Sequence, residues 1–169
     1  MSACRVSRMP VQYIVKTWDF REVSLAMKPP VFIPRPETEQ LVSLAMEKCD
    51  FRDGETLRLL EVGCGSGAVS LSLLKEAPAA AAAAIHVTAV DRSRLACALT
   101  MENAIRNDLW RNLTVSHSEV HGDGALRKMA EEDGGGTEIS VEHEFDMIVS
   151  NPPYVLRKDL MKLAPEISV

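Results

Sequence analysis

The segment Leu57-Arg58-Leu59-Leu60-Glu61-Val62-Gly63-Cys64-Gly65-Ser66-Gly67 constrains the fold of this 169-residue chain more than any other. A short apolar run passes without a spacer into glycines at alternate positions. The run reads as a buried strand. Glycines directly after it permit a sharp turn and let a ligand approach the backbone. From Ser66 to Lys75 the pattern reads as a helix, closed by Pro78. A strand that hands over to a helix in this way predicts a βα crossover and a mostly parallel α/β sheet.

The same alternation continues downstream. Ile85 to Val90 reads as a second strand ending at Asp91, and Ser93 to Asn107 as a helix. Leu95, Ala98, Leu99, Ala104 and Ile105 are placed to share one apolar face of that helix. Asn112 to Ser116 reads as a third strand, Leu126 to Glu131 as a helix, and Phe145 to Val149 as a fourth strand. Upstream, Pro36 opens a helix with Glu37 and Glu39 near its positive end, and Leu41, Val42, Leu44 and Ala45 follow. Residues 1–35 read as a lead-in and remnant of an N-terminal region, and residues 36–169 as a partial catalytic domain. In the lead-in, the alternation of Val11, Tyr13 and Val15 with Gln12, Ile14 and Lys16 predicts a short strand, and Glu22 to Leu25 a second. Pro29, Pro30, Pro34 and Pro36 keep the next stretch extended. About four strands are legible, fewer than open α/β sheets carry. The expectation is therefore a truncated or alternatively spliced form of a longer enzyme.

Two ligand readings fit the glycine loop. Gly63, Gly65 and Ala68 satisfy a loose dinucleotide fingerprint. Gly63, Gly65 and Gly67, preceded by Glu61, match the loop of S-adenosylmethionine-dependent methyltransferases. A carboxylate at the loop is unfavourable beside a pyrophosphate and favourable beside the ammonium of a methionyl group, so Glu61 tips the balance to the second. Asp91 closes the next strand, where an acid accepts ribose hydroxyls in either family.

Val149-Ser150-Asn151-Pro152-Pro153-Tyr154 carries the acceptor chemistry. Two prolines at a strand end remove backbone donors and leave carbonyls that no ladder claims. Asn151 adds a side-chain carbonyl, and Tyr154 a flat apolar face. Together they suit a planar, conjugated –NH2 group: two carbonyls accept its N–H bonds while the ring packs on its plane. The nitrogen of an amide is a weak nucleophile. Donation of its N–H bonds to fixed carbonyls favours the charge that develops on it and aims it at a methyl group.

With these residues in hand, the chain resembles the protein-(glutamine-N5) methyltransferases that modify peptide-chain release factors, in particular their mitochondrial-type animal members. The resemblance runs from Pro10 to about Pro165. It includes Pro10-Val11-Gln12-Tyr13-Ile14, Phe32-Ile33-Pro34-Arg35-Pro36-Glu37-Thr38-Glu39, the Glu61–Gly67 loop, Val90-Asp91, Asn103-Ala104 and Asn151-Pro152-Pro153-Tyr154. It implies a Rossmann-like class I S-adenosylmethionine-dependent methyltransferase fold of seven strands, here incomplete, preceded by a small helical domain. The implied donor is S-adenosylmethionine, and the implied acceptor is the glutamine amide of a Gly-Gly-Gln motif in a release factor. Asn151, Pro152 and Tyr154 would act at the amide, with Pro153 beside them. Arg35, Pro36 and Thr38 would lie at the cleft. Glu61, Gly63, Cys64, Gly65, Gly67, Asp91 and Asn151 would line the donor. The adenosine contact falls after the third strand, on Asp123, with Glu119 as the alternative. A mitochondrial location is implied as well, with a cytoplasmic one open to a short form.

Other classes fit less well. Asn-Pro-Pro-Tyr by itself is shared with adenine-N6 DNA methyltransferases, and a flipped base offers the same –NH2 geometry. A net charge of −5, with Arg157-Lys158 the only basic pair near Asn151, weighs against nucleic acid. A non-catalytic fragment is the third alternative. The longest apolar stretch, Ala77 to Ile85, contains Pro78 and is about half the length needed to span a bilayer, so no membrane is expected. Cys4, Cys49, Cys64 and Cys97 are scattered without a CxxC, which reads as a reduced compartment. His117 and His121 lack a thiol cluster or HExxH, so no metal is expected.

Overall fold

The computed structural model describes residues 8–51, 55–79, 82, 84–121, 126–129 and 144–152. In chain order these form α1 (Val11–Val15), β1 (Thr17–Phe20), β2 (Val23–Ala26), α2 (Thr38–Lys48), β3 (Leu57–Val62), α3 (Ala68–Glu76), β4 (Ile85–Asp91) and α4 (Arg94–Arg106). A 3₁₀ turn at Trp110–Asn112, β5 (Leu113–Val120), β6 (Leu126–Lys128) and β7 (Met147–Ser150) follow. Strands β1 and β2 form an antiparallel hairpin. The other five make one sheet in the order β6-β5-β4-β3-β7. Within it β5, β4, β3 and β7 run parallel, and β6 is antiparallel to β5.

This order places a switch of direction at β3. The chain moves outward from β3 through β4 and β5, then returns to lay β7 on the other side of β3. Open α/β sheets bind ligands in the crevice at the carboxyl ends of the strands at such a point. The register fixes which residues meet there. Val62 pairs with Val90 on one side and with Ser150 on the other. The next residues of three adjacent strands are therefore Gly63, Asp91 and Asn151.

The main core cluster lies between the sheet and helices, and a smaller one forms around Leu60, Val90 and Leu126. Leu59, Ile85, Val87 and Ala89 of the sheet pack with Leu71 and Leu73 of α3, all almost fully buried. Every residue of α3 from Ala68 to Leu74 is buried, because this helix has β4, α2 and the hairpin strand β2 as neighbours. Phe20, Val23 and Leu25 of the hairpin belong to the same core as β3. Arg21, at the hairpin turn, ties it down: Nε donates to Glu76 Oε1 at 2.6 Å, and Nη1 to the Glu39 carbonyl at 3.1 Å.

The structure corrects several expectations. Val11–Val15 is a helix, not a strand. Five residues of alternation do not separate the two states. Pro10 starts the helix, and Lys16, at φ 63°, ends it. Its one buried residue, Tyr13, donates its hydroxyl to the Val31 carbonyl at 2.6 Å. Leu126–Lys128 is a strand where a helix was expected: it pairs with Ser118–Val120, and Leu126 packs on Leu60 and Val90. The main sheet thus has five strands among the described residues, not about four. On α4, Leu95 and Ile105 are exposed, and the buried face is Ala96, Leu99, Thr100, Asn103 and Ala104.

Candidate active site

All three loop glycines have positive φ, at +78°, +57° and +82° for Gly63, Gly65 and Gly67. Only glycine takes such angles without strain. What faces them differs. A Cβ on Gly67 would stand 2.9 Å from Thr100 Cγ2, whereas one on Gly63 or Gly65 meets nothing within 4 Å. Gly67 thus permits close packing of α4, and Gly63 and Gly65 border open space. The loop folds back on β4: Gly63 and Cys64 both donate to the Val90 carbonyl, at 2.8 and 3.1 Å. Gly67 donates to the Cys64 carbonyl at 2.7 Å.

Asp91 reaches the loop directly. Its Oδ2 accepts from the Gly65 N–H at 3.0 Å, and its Oδ1 from the Ser93 N–H at 2.8 Å. A carboxylate has about four lone-pair sites. The half-buried Asp91 therefore keeps acceptor capacity beside Gly63 while it also caps the turn into α4. Ser93 completes that cap, accepting from the Ala96 N–H at 3.3 Å.

Glu61 is buried, at 3% exposure. Its Oε2 accepts from the Ser70 N–H at 3.0 Å and from the Ser70 hydroxyl. Burial pushes its pKa up to about 7; the Ser70 bonds oppose this and the Asp91 charge adds to it. The carboxyl braces β3 against α3 behind the loop. Cys64 is buried too, and a hydrogen bond with the Cys97 thiol, followed by burial, raises its pKa. A thiol held protonated is a small filler, not a nucleophile.

A cleft forms across the switch point. Asn151 Nδ2 donates to Thr38 Oγ1 at 3.0 Å, joining the end of β7 to the first residue of α2. With Nδ2 engaged, Oδ1 is left with acceptor capacity. The cleft has a volume of about 380 Å³ and is lined by Arg35, Glu37, Thr38, Leu41, Ser150 and Asn151. Ser150 fixes the strand end by donating its hydroxyl to the Val62 carbonyl at 2.9 Å. Arg35 lies over the ring of the exposed Phe32, 5.5 Å from its centroid. Pro36 and Pro152 are exposed beside the cleft. Arg35 and Thr38 are thus brought together with Asn151, more than a hundred residues later in the chain.

Other candidates lie elsewhere. Asp123, Pro153 and Tyr154 fall outside the described residues. Glu119 pairs with His121 at 3.0 Å, and His117 bonds the Arg92 carbonyl at 2.9 Å. Among the described residues no cluster of His, Cys, Asp and Glu has the arrangement to hold a metal. No helix among them is long and apolar enough to cross a membrane. Sequence reasoning missed Thr100. Its hydroxyl donates to the Gly65 carbonyl at 3.1 Å. It also gave Asn103 only as part of a resemblance, though its Nδ2 donates to the Ser66 carbonyl at 2.9 Å. The signal available was a polar pair three residues apart on a helix that begins just after Asp91.

The model of the methyltransferase small domain matches residues 38–167. The chain belongs to that family. It is 44% identical over 173 aligned residues to human "MTRF1L release factor glutamine methyltransferase", covering 99% of this chain and 46% of that protein. It is 31% identical to a release factor glutamine methyltransferase of Fusobacterium nucleatum subsp. nucleatum, covering 95% and 39%. Against the protein of that name from Vibrio cholerae serotype O1 it is 35% identical, covering 89% and 44%. The chain therefore spans less than half the length of each of these relatives. In this member of the methyltransferase small domain family, Gly63, Asp91 and Asn151 meet at the carboxyl ends of three adjacent strands.

Proposed function

We propose that the chain transfers a methyl group from S-adenosylmethionine to the side-chain amide nitrogen of a glutamine in a peptide-chain release factor. The observation that carries this reading is the register of β4, β3 and β7, which makes Gly63, Asp91 and Asn151 neighbours. The similarity to release factor glutamine methyltransferases supports the substrate.

The residues present fit the donor. Gly63 and Gly65 leave a cradle that a Cβ would fill. Asp91 keeps lone pairs for two ribose hydroxyls; the Glu61 carboxyl, expected from the sequence to face a methionyl ammonium, is instead buried on Ser70 and supports the loop from behind. When bound, the donor supplies an electrophilic methyl group on a positively charged sulfur. Asn151 Oδ1 and the Pro152 carbonyl accept the two N–H bonds of the acceptor amide. This holds the nitrogen lone pair in line with the methyl carbon and favours the positive charge that develops on nitrogen. Thr38 orients Asn151, and Arg35 and Pro36 form the wall past which the peptide enters. Tyr154 and Pro153, outside the described residues, are the residues assigned from the sequence to the face of the amide plane. Asp123, rather than Glu119 with its His121 partner, is the choice for the adenosine contact. A mitochondrial location goes with this reading, on the resemblance to the mitochondrial-type animal members.

The test is incubation of the chain with isotopically labelled S-adenosylmethionine, with a release factor in one arm and duplex DNA in the other. Label on the release factor is expected, and it disappears when the Gly-Gly-Gln glutamine is replaced. Label on DNA alone sinks the protein substrate and revives the adenine acceptor.

A further inference from the structure

We propose that Thr100 is a positioning residue for the methyl donor, acting through Gly65 with Asn103 steadying the residue beside it. The inference rests on the donor reading above and names the part of the molecule that shapes its site.

Thr100 and Asn103 are both fully buried, at 0% exposure. They stand three apart on α4 and so face the same way. Each directs a donor to a backbone carbonyl of the glycine loop, and the Thr100 hydroxyl also lies 3.4 Å from the Cys64 sulfur. The Thr100 hydroxyl donates to the Gly65 carbonyl, and its Cγ2 closes on Gly67. Asn103 Nδ2 donates to the Ser66 carbonyl and to the Ala26 carbonyl, while Oδ1 accepts from the Ala26 N–H at 2.6 Å. Residues 65, 66 and 67 are thus all held from one side, and the hairpin strand β2 is pinned to the same point.

The loop needs this support from outside. Ser70 N–H, the donor one turn beyond Ser66, goes to Glu61. Asn103 supplies the partner that the Ser66 carbonyl would otherwise lack. Gly65 is clamped on both of its polar groups, its N–H by Asp91 and its carbonyl by Thr100. Asp91 is the acid assigned to the ribose, and Gly65 is one of the two glycines that border the open cradle. Deleting the Thr100 hydroxyl frees the Gly65 peptide to rotate, which disturbs both the cradle and the Asp91 carboxylate. Deleting its methyl group disturbs packing against Gly67 and leaves the clamp intact.

Two substitutions separate these roles. Thr100→Val keeps the shape and the methyl contact and removes the hydroxyl. Thr100→Ser keeps the hydroxyl and removes the methyl. Each is compared with the unmodified chain by calorimetric titration with S-adenosylhomocysteine and by thermal melting. Thr100→Val is expected to weaken binding by about tenfold, the scale of one lost hydrogen bond. Thr100→Ser is expected to stay within about threefold even though it opens a small cavity and melts lower. Affinities that follow melting temperature, with Ser the weaker binder, or a Val variant that binds like the unmodified chain, overturn the proposal and leave the donor reading standing. An unmodified folded chain that does not bind S-adenosylhomocysteine removes both.

Discussion

Replacement of Glu61 by Gln isolates one buried carboxyl and gives it a pH signature. Glu61 is buried behind the glycine loop and is bonded to Ser70. Burial raises its pKa from 4.5 to about 7. In the native state it therefore keeps a proton, between those two values, that the unfolded chain has already released. The stabilising contribution of that proton is complete below about pH 4.5 and is lost as pH rises through about 7. The difference between the two pKa values corresponds to about 3 kcal/mol. Gln has the same shape, carries no charge, and offers Ser70 the same carbonyl acceptor. Urea unfolding of both proteins, followed by the fluorescence of Trp18 and Trp110, gives stability at intervals between about pH 5 and pH 8. Near pH 5 the Gln variant should lead by a little under about 1 kcal/mol, because the unfolded-state carboxyl has already begun to ionise. By about pH 8 the Gln variant should be more stable by roughly 3 kcal/mol. A difference that stays constant with pH, or a natural chain that gains on the variant as pH rises, would refute the reasoning. The second outcome would mean that Glu61 is ionised and well compensated in the native state.

Substitutions at three further positions probe the site. Asp91→Ala should weaken S-adenosylhomocysteine binding by roughly tenfold to a hundredfold and also lower the melting temperature, since Gly65 and Ser93 lose their acceptor; Asp91→Asn should cost less by calorimetry. Gly63→Ala meets no protein atom. It should therefore lower stability only by the left-handed strain of about 1–2 kcal/mol, yet weaken that ligand by more than about tenfold through its Cβ. Asn151→Ala should lower the methyl-transfer rate by about 10²–10³ and leave donor affinity unchanged; a parallel loss of both would move Asn151 out of the acceptor site.

The parts of this fold that could be read from sequence are those where local chemistry and tertiary role agree. The apolar run Leu57–Val62 and the run from Ile85 ending on Asp91 are buried parallel strands, and the observed β3 and β4 match them residue for residue. Glycines directly after β3 marked the sharp turn, and the structure adds that all three are left-handed. Other features depend on partners that local sequence does not name. Leu126 is a strand residue because Val120 lies opposite it. Val11–Val15 is helical because Tyr13 finds the Val31 carbonyl. On α4, apolarity pointed to Leu95 and Ile105, yet the burial fell on Thr100 and Asn103. Carbonyls of the glycine loop and of Ala26 face that side of the helix, and they need donors more than methyl groups. The site was legible to the same degree. Asp91 and Asn151 stood out as acid and amide at strand ends. The bond that orients the Asn151 amide comes from Thr38, more than a hundred residues earlier in the chain.

The most direct test of the proposed reaction is to locate the methyl group. A release factor is incubated with the chain and S-adenosylmethionine, digested, and its Gly-Gly-Gln peptide is fragmented in a mass spectrometer. The expected result is a mass gain of one methylene unit confined to the glutamine side chain and lost when Asn151→Ala replaces the unmodified chain. A methyl group on any other residue, or none on the release factor from a folded chain that binds the donor, would contradict the assignment.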